Sequence, residues 1–212
     1  MITLMQGSLE ASNKDLFDQM YKLRARVFSE RLGWDVRVKD GKERDEFDDS
    51  NPLYGIALSE NGREVVGCFR LLQTTGPTML GSVFRDLLPE GQNIRSPLIW
   101  ESTRFCVDTE KALELGEHGL NNITGKLLAA VYETGVLAGL THVVTVIDVR
   151  MERVMRRAGC PMDRLAPPRR IGNVDTVATL VPTTEEAVSQ IHARNGIVSP
   201  CVSVQSLMAL AA

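Results

Sequence analysis

Histidine and cysteine are scarce, with three and four residues in a chain of 212. Cys68, Cys106, Cys160 and Cys201 form no C-x-x-C pair and none is adjacent to a histidine, which argues against a zinc site and a disulfide framework. No apolar run approaches the length of a membrane span. The opening MITLMQGSLE lacks the basic segment and long apolar core of a secretory signal, so a reducing cytoplasm is the expected setting. A net charge of −3 gives no general attraction to nucleic acid or to anionic membrane. There is no internal repeat and no low-complexity linker, and residues 1–212 read as one domain.

What is present is a soluble balance of 43% hydrophobic and 24% charged residues. A first helix is expected from about Ser12 to Arg31, capped by Ser12 or Asn13, with Leu16, Met20, Leu23 and Val27 as its core stripe. A second stripe holds Phe17, Tyr21, Arg24 and Phe28. The segment LGWDVRVKDGKERDEFDDSNP reads as a long loop. Two strands joined around Asn61-Gly62 follow, then a loop with a short helix, and then the strand IWESTRFCVD. Helices over about 121–138 and 150–158 flank HVVTVID, an almost continuous apolar run typical of a buried central strand. The strand VDTVATLV and a last helix, with Thr183 and Glu186 as a capping box, complete the pattern. One helix, several strands, then alternating helices and strands imply an α/β fold, a three-layer α/β/α sandwich around a mixed sheet.

The charged residues in strands pose the functional question. In a regular strand Glu101 and Thr103 share one face, while Ser102 and Arg104 share the other. Either this is a solvated edge, or a bulge turns Glu101 and Arg104 into one cleft. Arg70, among apolar neighbours, needs a solvated face or a carboxylate, with Glu101, Asp45 and Asp48 as candidates. Asp45 and Asp48 belong to ERDEFDD, which is either a solvated charge run or part of that cleft. Phe28 and Trp34 are core aromatics or a wall for a cationic ligand. Arg150, Arg153, Arg156 and Arg157 are a solvated helix face or a docking patch for an acidic partner.

The segments LRARVFSERLGWDV, ERDEFDDSNPLY, VVGCFRLLQTTGPTML and WESTRFCVD together resemble the acyl-homoserine lactone synthases, the LuxI-type autoinducer synthases of bacterial quorum sensing. They carry the family's whole charged and aromatic set, Arg24, Phe28, Trp34, Asp45, Asp48, Arg70, Glu101 and Arg104, and the likeness spans roughly residues 20–180.

The resemblance implies a fold like that of the GNAT N-acetyltransferases. It implies S-adenosylmethionine as amine donor and substrate, with no separate cofactor, and an acyl carrier protein as acyl donor. Glu101 is the candidate general base, acting through a water. Asp45, Asp48, Arg70 and Arg104 complete the catalytic set. Arg24, Phe28, Trp34, Asp48, Thr103 and Arg104 would hold S-adenosylmethionine. An apolar tunnel for the acyl chain would draw on Met79, Phe84, Ser102, Phe105, Leu128, Thr145, Val146, Met151 and Met155, the methionines suiting a flexible chain. Thr145 sits where the family associates a hydroxyl with 3-oxo-acyl substrates, and Arg150, Arg153 and Arg157 would dock the acidic carrier. The rival reading is a GNAT-type N-acyltransferase using acyl-CoA. Its pyrophosphate loop is approached only by Arg156-Arg157-Ala158-Gly159-Cys160-Pro161, at a helix end and with proline last.

Overall fold

The computed structural model describes residues 2–114 and 119–202. Strand β1 (Ile2–Gln6) leads to α1 (Lys14–Arg24), then to the small hairpin β2 (Val38–Lys39) and β3 (Lys42–Glu43). The strands β4 (Leu53–Leu58), β5 (Val65–Gln73) and β6 (Ile99–Val107) follow, and after them α2 (Thr109–Glu114) and α3 (Gly119–Leu137). The chain then runs through β7 (His142–Asp148), α4 (Val149–Arg157), β8 (Asp163–Arg164), β9 (Arg169–Ile171), β10 (Val174–Pro182) and α5 (Glu185–Asn195).

The main sheet has the order β1-β4-β5-β6-β7-β10-β8, with β9 also on β10. Only β6 and β7 run parallel among the described pairs, because α3 carries the chain back over the sheet between them. The sheet is therefore mixed. One face carries α1, with Phe17, Met20 and Leu23 on Tyr54, Ile56 and Cys68. The other carries α3 and α5, with Leu127, Leu128, Tyr132 and Ile191 in the main core. The expected three layers are present. β7 lies inside the sheet and is covered on both sides: Val143 joins the α3 core, and Val144 joins Leu80, Leu87 and Leu88 opposite. That double burial explains its apolar run. Among the described residues no helix is long and apolar enough to cross a membrane.

Several local expectations change. The first helix ends as α-helix at Arg24 and continues as a π-helical turn over Ala25–Arg31. The wider turn rotates the face, so that Val27 and Phe28 are both buried. Asn13 occupies the cap position without a side-chain cap bond, and Leu16 is only half-buried. The expected long loop contains the β2–β3 hairpin, turned by Asp40 and Gly41 at positive φ, and a 3-10 turn over Glu46–Ser50. The expected short helix near residue 85 is a single 3-10 turn, Arg85–Leu87. The α5 cap is Thr184, whose hydroxyl accepts from the Ala187 amide at 3.2 Å; Thr183 is turned away and donates to the Leu140 carbonyl. Glu133 on α3 accepts from the amides of Cys201 and Val202 and bonds His192, clasping the segment after α5 onto the core.

Candidate active site

The strand β6 answers its own puzzle with a bulge. Cys106 pairs with Cys68 and Thr103 with Arg70, so Arg104 and Phe105 both stand opposite Phe69. Arg104 takes φ +53, a left-handed conformation that costs an arginine about 1–2 kcal/mol. The extra residue lets the side chains of Glu101, Thr103 and Arg104 serve the α1 side of the sheet, while Phe105 packs toward the α3 core. Phe69 itself has room because Gly55 faces it across β4: a Cβ there would stand 2.1 Å from the Phe69 ring.

The bulge delivers Arg104 into a closed ionic cluster. Arg24 donates through Nε to Glu43 at 2.6 Å and through Nη1 and Nη2 to both oxygens of Asp48 at 2.8 Å. Arg70 donates to Asp48 at 2.7 Å, to Asp45 Oδ2 at 3.0 Å and, through Nε, to the Thr103 hydroxyl at 3.0 Å. Arg104 pairs with Glu43 at 2.9 Å and Asp45 at 2.7 Å. The Tyr54 hydroxyl donates to Asp48 at 2.6 Å. Arg24, Arg70 and Glu43 are fully buried. The acidic run is thus no solvated loop. Asp45 caps its own 3-10 turn by accepting from Phe47, and Asp48 returns a bond to the Asp45 amide. Burial alone would raise Asp48. The Arg24 bonds and the charges of Arg24 and Arg70, with Tyr54, reverse that and hold it well below the usual carboxylate range.

Glu101 is not the partner of Arg70. It is fully buried beside the cluster and accepts from the backbone amides of Met79 and Leu80 at 2.8 and 2.7 Å. Three guanidiniums already meet three carboxylates, so the fourth carboxylate has no cation of its own. Burial pushes Glu101 up to about 6, against the pull of the Leu80 and Met79 amides and of Arg70. A carboxyl near 6 is poised to trade protons at neutral pH.

Phe28 and Trp34 stack at 5.2 Å, and the Arg104 guanidinium lies 5.4 Å from the Phe28 ring. Trp34 is 42% exposed, so this aromatic wall opens to solvent. The thioether of Met79 lies 3.3 Å from Arg104 Nη1, a weak acceptor on a strong donor. β6 and β7 pair only from Ile99–Ser102 and His142–Thr145, then part. Residues 103–107 therefore face a gap in the sheet.

The expected tunnel residues fall in two groups separated by the sheet. Met79, Phe84 and Val146 lie on the side of Leu80 and Leu72. Phe105, Leu128, Met151 and Met155 belong to the α3 core, and Ser102 and Thr145 share that face, the Thr145 hydroxyl donating to the Ser102 carbonyl at 2.9 Å. On α4, Arg150, Arg153 and Arg157 are exposed on one face and form no ion pair among the described residues, while Arg156 and Arg164 both hold the buried Glu152. The Arg156–Pro161 loop follows the C-terminal end of α4, where no helix N-terminus offers amides to a pyrophosphate.

Sequence reasoning missed Glu43. It opens the same acidic run, but with Glu101 counted beside Asp45 and Asp48 the acids already matched the three arginines, so charge balance gave no signal for it.

The sequence profile described as autoinducer synthase matches residues 8–191. The chain belongs to the autoinducer synthase family. This autoinducer synthase is 44% identical over 176 residues to a probable acyl-homoserine-lactone synthase of Sinorhizobium fredii, covering 82% of this chain and 84% of that protein. Its fold matches the crystal structure of the acyl-homoserine lactone synthase LasI with a TM-score of 0.80 at 33% identity, over 91% of this chain and 94% of LasI. It matches BjaI, a CoA-dependent acyl-homoserine lactone synthase solved with S-adenosylmethionine and isopentyl-CoA, with a TM-score of 0.83 at 28% identity, over 100% and 99% of the two chains. The enzyme is an acyltransferase with a GNAT-like fold.

Proposed function

We propose that this autoinducer synthase transfers a 3-oxo-acyl group from an acyl carrier protein to the amine of S-adenosylmethionine. The acylated product then closes to an N-acyl-homoserine lactone and releases methylthioadenosine. The observation that carries the reading is Glu101: a buried carboxylate near pKa 6, at the edge of a neutralised ionic cluster and beside the parting of β6 and β7.

In this reading the α-ammonium gives a proton to Glu101 through a water, and the amine nitrogen attacks the thioester carbon. The N–C bond forms and the oxyanion is held by β6 amides freed beyond Ser102; collapse breaks the C–S bond and expels the carrier thiolate, which takes the second proton from the nitrogen, while Glu101 releases the first to solvent. The methionine carboxylate then attacks its own γ-carbon and breaks the bond to the sulfonium, a step that needs a folded substrate more than another catalyst. Phe28 and Trp34 supply ring faces for the sulfonium. Arg24, Arg70, Asp45 and Asp48 keep the cleft rigid, and Arg104 offers Nη1 to the substrate carboxylate. Arg150, Arg153 and Arg157 would receive the acidic carrier.

A CoA donor is the second reading, favoured by the likeness to CoA-dependent BjaI. Incubation of the purified enzyme with S-adenosylmethionine and matched carrier-protein and CoA thioesters, read by mass spectrometry, separates the two. Higher kcat/KM for the carrier thioesters is expected. Preference for CoA would replace the donor, and absence of lactone and methylthioadenosine with both would end the reading.

A further inference from the structure

On the face of the sheet away from the ionic cluster, three side chains from distant parts of the chain converge. Glu133 stands on α3, His192 in the last turn of α5, and Cys201 on the segment after α5. One carboxylate oxygen, one imidazole nitrogen and the thiol sulfur all lie within 4.8 Å of one another. Spacing along the chain hid this set, because His192 is 59 positions from Glu133 and Cys201 is 68. The lack of a histidine beside any cysteine, which argues against zinc in the sequence, therefore does not bear on it. Glu133 and Cys201 are buried, whereas the His192 side chain is 19% exposed, so one edge of the set opens to water.

The carboxylate is held in place from behind. Its Oε1 accepts from the Cys201 amide at 3.0 Å and its Oε2 from the Val202 amide at 2.8 Å, the kind of outer hydrogen bonds that orient a ligating group. His192 Nε2 stands 2.6 Å from Oε1, joined to it by a proton. Sulfur, imidazole nitrogen and carboxylate oxygen are the donor types that zinc takes, and its bond lengths set tetrahedral ligand atoms roughly 3.3–3.6 Å apart. The separations here bracket that range, so a small turn of the partly exposed His192 ring would seat the ion. Charge points the same way: Zn²⁺ with one thiolate and one carboxylate sums to zero, which suits a buried site. We propose that Glu133, His192 and Cys201 form a zinc site, with water in the fourth position at the exposed edge of His192. On binding, Cys201 gives its thiol proton to solvent, and the proton leaves His192 Nε2 so that the ring ligates as neutral imidazole. The Cys201 carbonyl accepts from the Ile2 amide at 3.0 Å, so the ion ties β1, α3, α5 and the segment after α5 at one point. Three protein ligands, against the four of a closed structural site, make this an ion that a chelator removes.

The test uses the purified enzyme stripped with EDTA. Calorimetric titration should find one zinc ion bound per chain. Cobalt(II) in its place should give thiolate-to-metal charge-transfer absorption in the near ultraviolet, and Cys201→Ser should abolish that band. Cys201→Ser and His192→Gln should each weaken zinc binding by more than the about 10–100-fold that loss of a supporting hydrogen bond costs. Zinc at about 100 times its Kd should raise the Tm of wild type by roughly 5–10 °C and leave that of Cys201→Ser unmoved. Serine keeps the shape of cysteine and the backbone amide that holds Glu133, so without metal this variant should melt near wild type; should it not fold, His192→Gln carries the same comparison. Absence of zinc binding by wild type overturns the proposal. So does zinc binding that survives both substitutions undiminished, which would put the ion elsewhere. None of these readouts involves acyl transfer, so the outcome stands apart from the function proposed above.

Discussion

Glu43→Gln removes one negative charge from a cluster in which three guanidiniums meet three carboxylates. Glu43 is fully buried and holds Arg24 at 2.6 Å and Arg104 at 2.9 Å. Guanidiniums do not shed their proton, so the excess positive charge cannot be neutralised, and the new amide sets a donor against a donor. Removing one partner of a buried ion pair costs about 3–5 kcal/mol. In a chain of this size each kcal/mol moves Tm by about 2–4 °C, so the variant should melt roughly 6–20 °C below wild type. Calorimetry at neutral pH reads this directly, with the exposed neighbour Glu46→Gln as a control close to wild type. Glu43→Gln with Arg104→Met restores the count of charges and should recover part of the loss. A Glu43→Gln Tm indistinguishable from the Glu46→Gln control would refute charge balance as what holds this cleft together.

Glu101→Gln should fold and lose about 10²–10⁴-fold in turnover, the usual worth of a general base; unaltered kinetics would remove Glu101 from that role. In wild type kcat/KM should rise with pH through about 6, and Asp45→Asn should move that limb to lower pH, because the Asp45 charge is one of the influences raising Glu101. Stability has the opposite sign: the folded pKa of Glu101 lies above the ordinary value of 4.5, so its contribution is full below 4.5 and fades as pH rises through 6. The loss is about 2 kcal/mol at 1.36 kcal/mol per unit, seen as a Tm difference between Glu101→Gln and wild type that grows from pH 4.5 to 7. Charge reversal at Arg153 and Arg157 should raise KM for the carrier protein several-fold, most at low salt, with KM for S-adenosylmethionine unmoved; two unmoved values would put the docking patch elsewhere.

The layers and most elements were legible because they rest on local chemistry. Gly139 and Gly159 end their helices at positive φ where the periodicity stops, and β7 reads as central because both of its faces are apolar and buried. What was not legible depends on pairings distant in sequence. Nothing local says that Arg70 would choose Asp45 and Asp48 over Glu101; that is decided by the 3-10 turn, which brings both aspartates over β5. The bulge at Arg104 could be anticipated as a way to reconcile Glu101 with Arg104, but its position follows from the register of β5 against β6. The π-helical turn left no trace either, since its residues continue an acceptable helical pattern.

The same pairings leave none of the three arginines unpaired to oppose the cation of the proposed substrate. The three guanidiniums and three acids cancel, so an ionised Glu101 leaves the site one negative charge in excess. The substrate proposed here carries a sulfonium, an ammonium and a carboxylate, one positive charge in excess, so the two balance on binding. In the proposed reaction, transfer of the amine proton to Glu101 removes its charge and that of the ammonium together beside a buried cluster. Burial favours that neutral pair over the charged one. The desolvation that raises Glu101 therefore also eases release of the nucleophilic amine, and opening the cluster to water should weaken both effects at once.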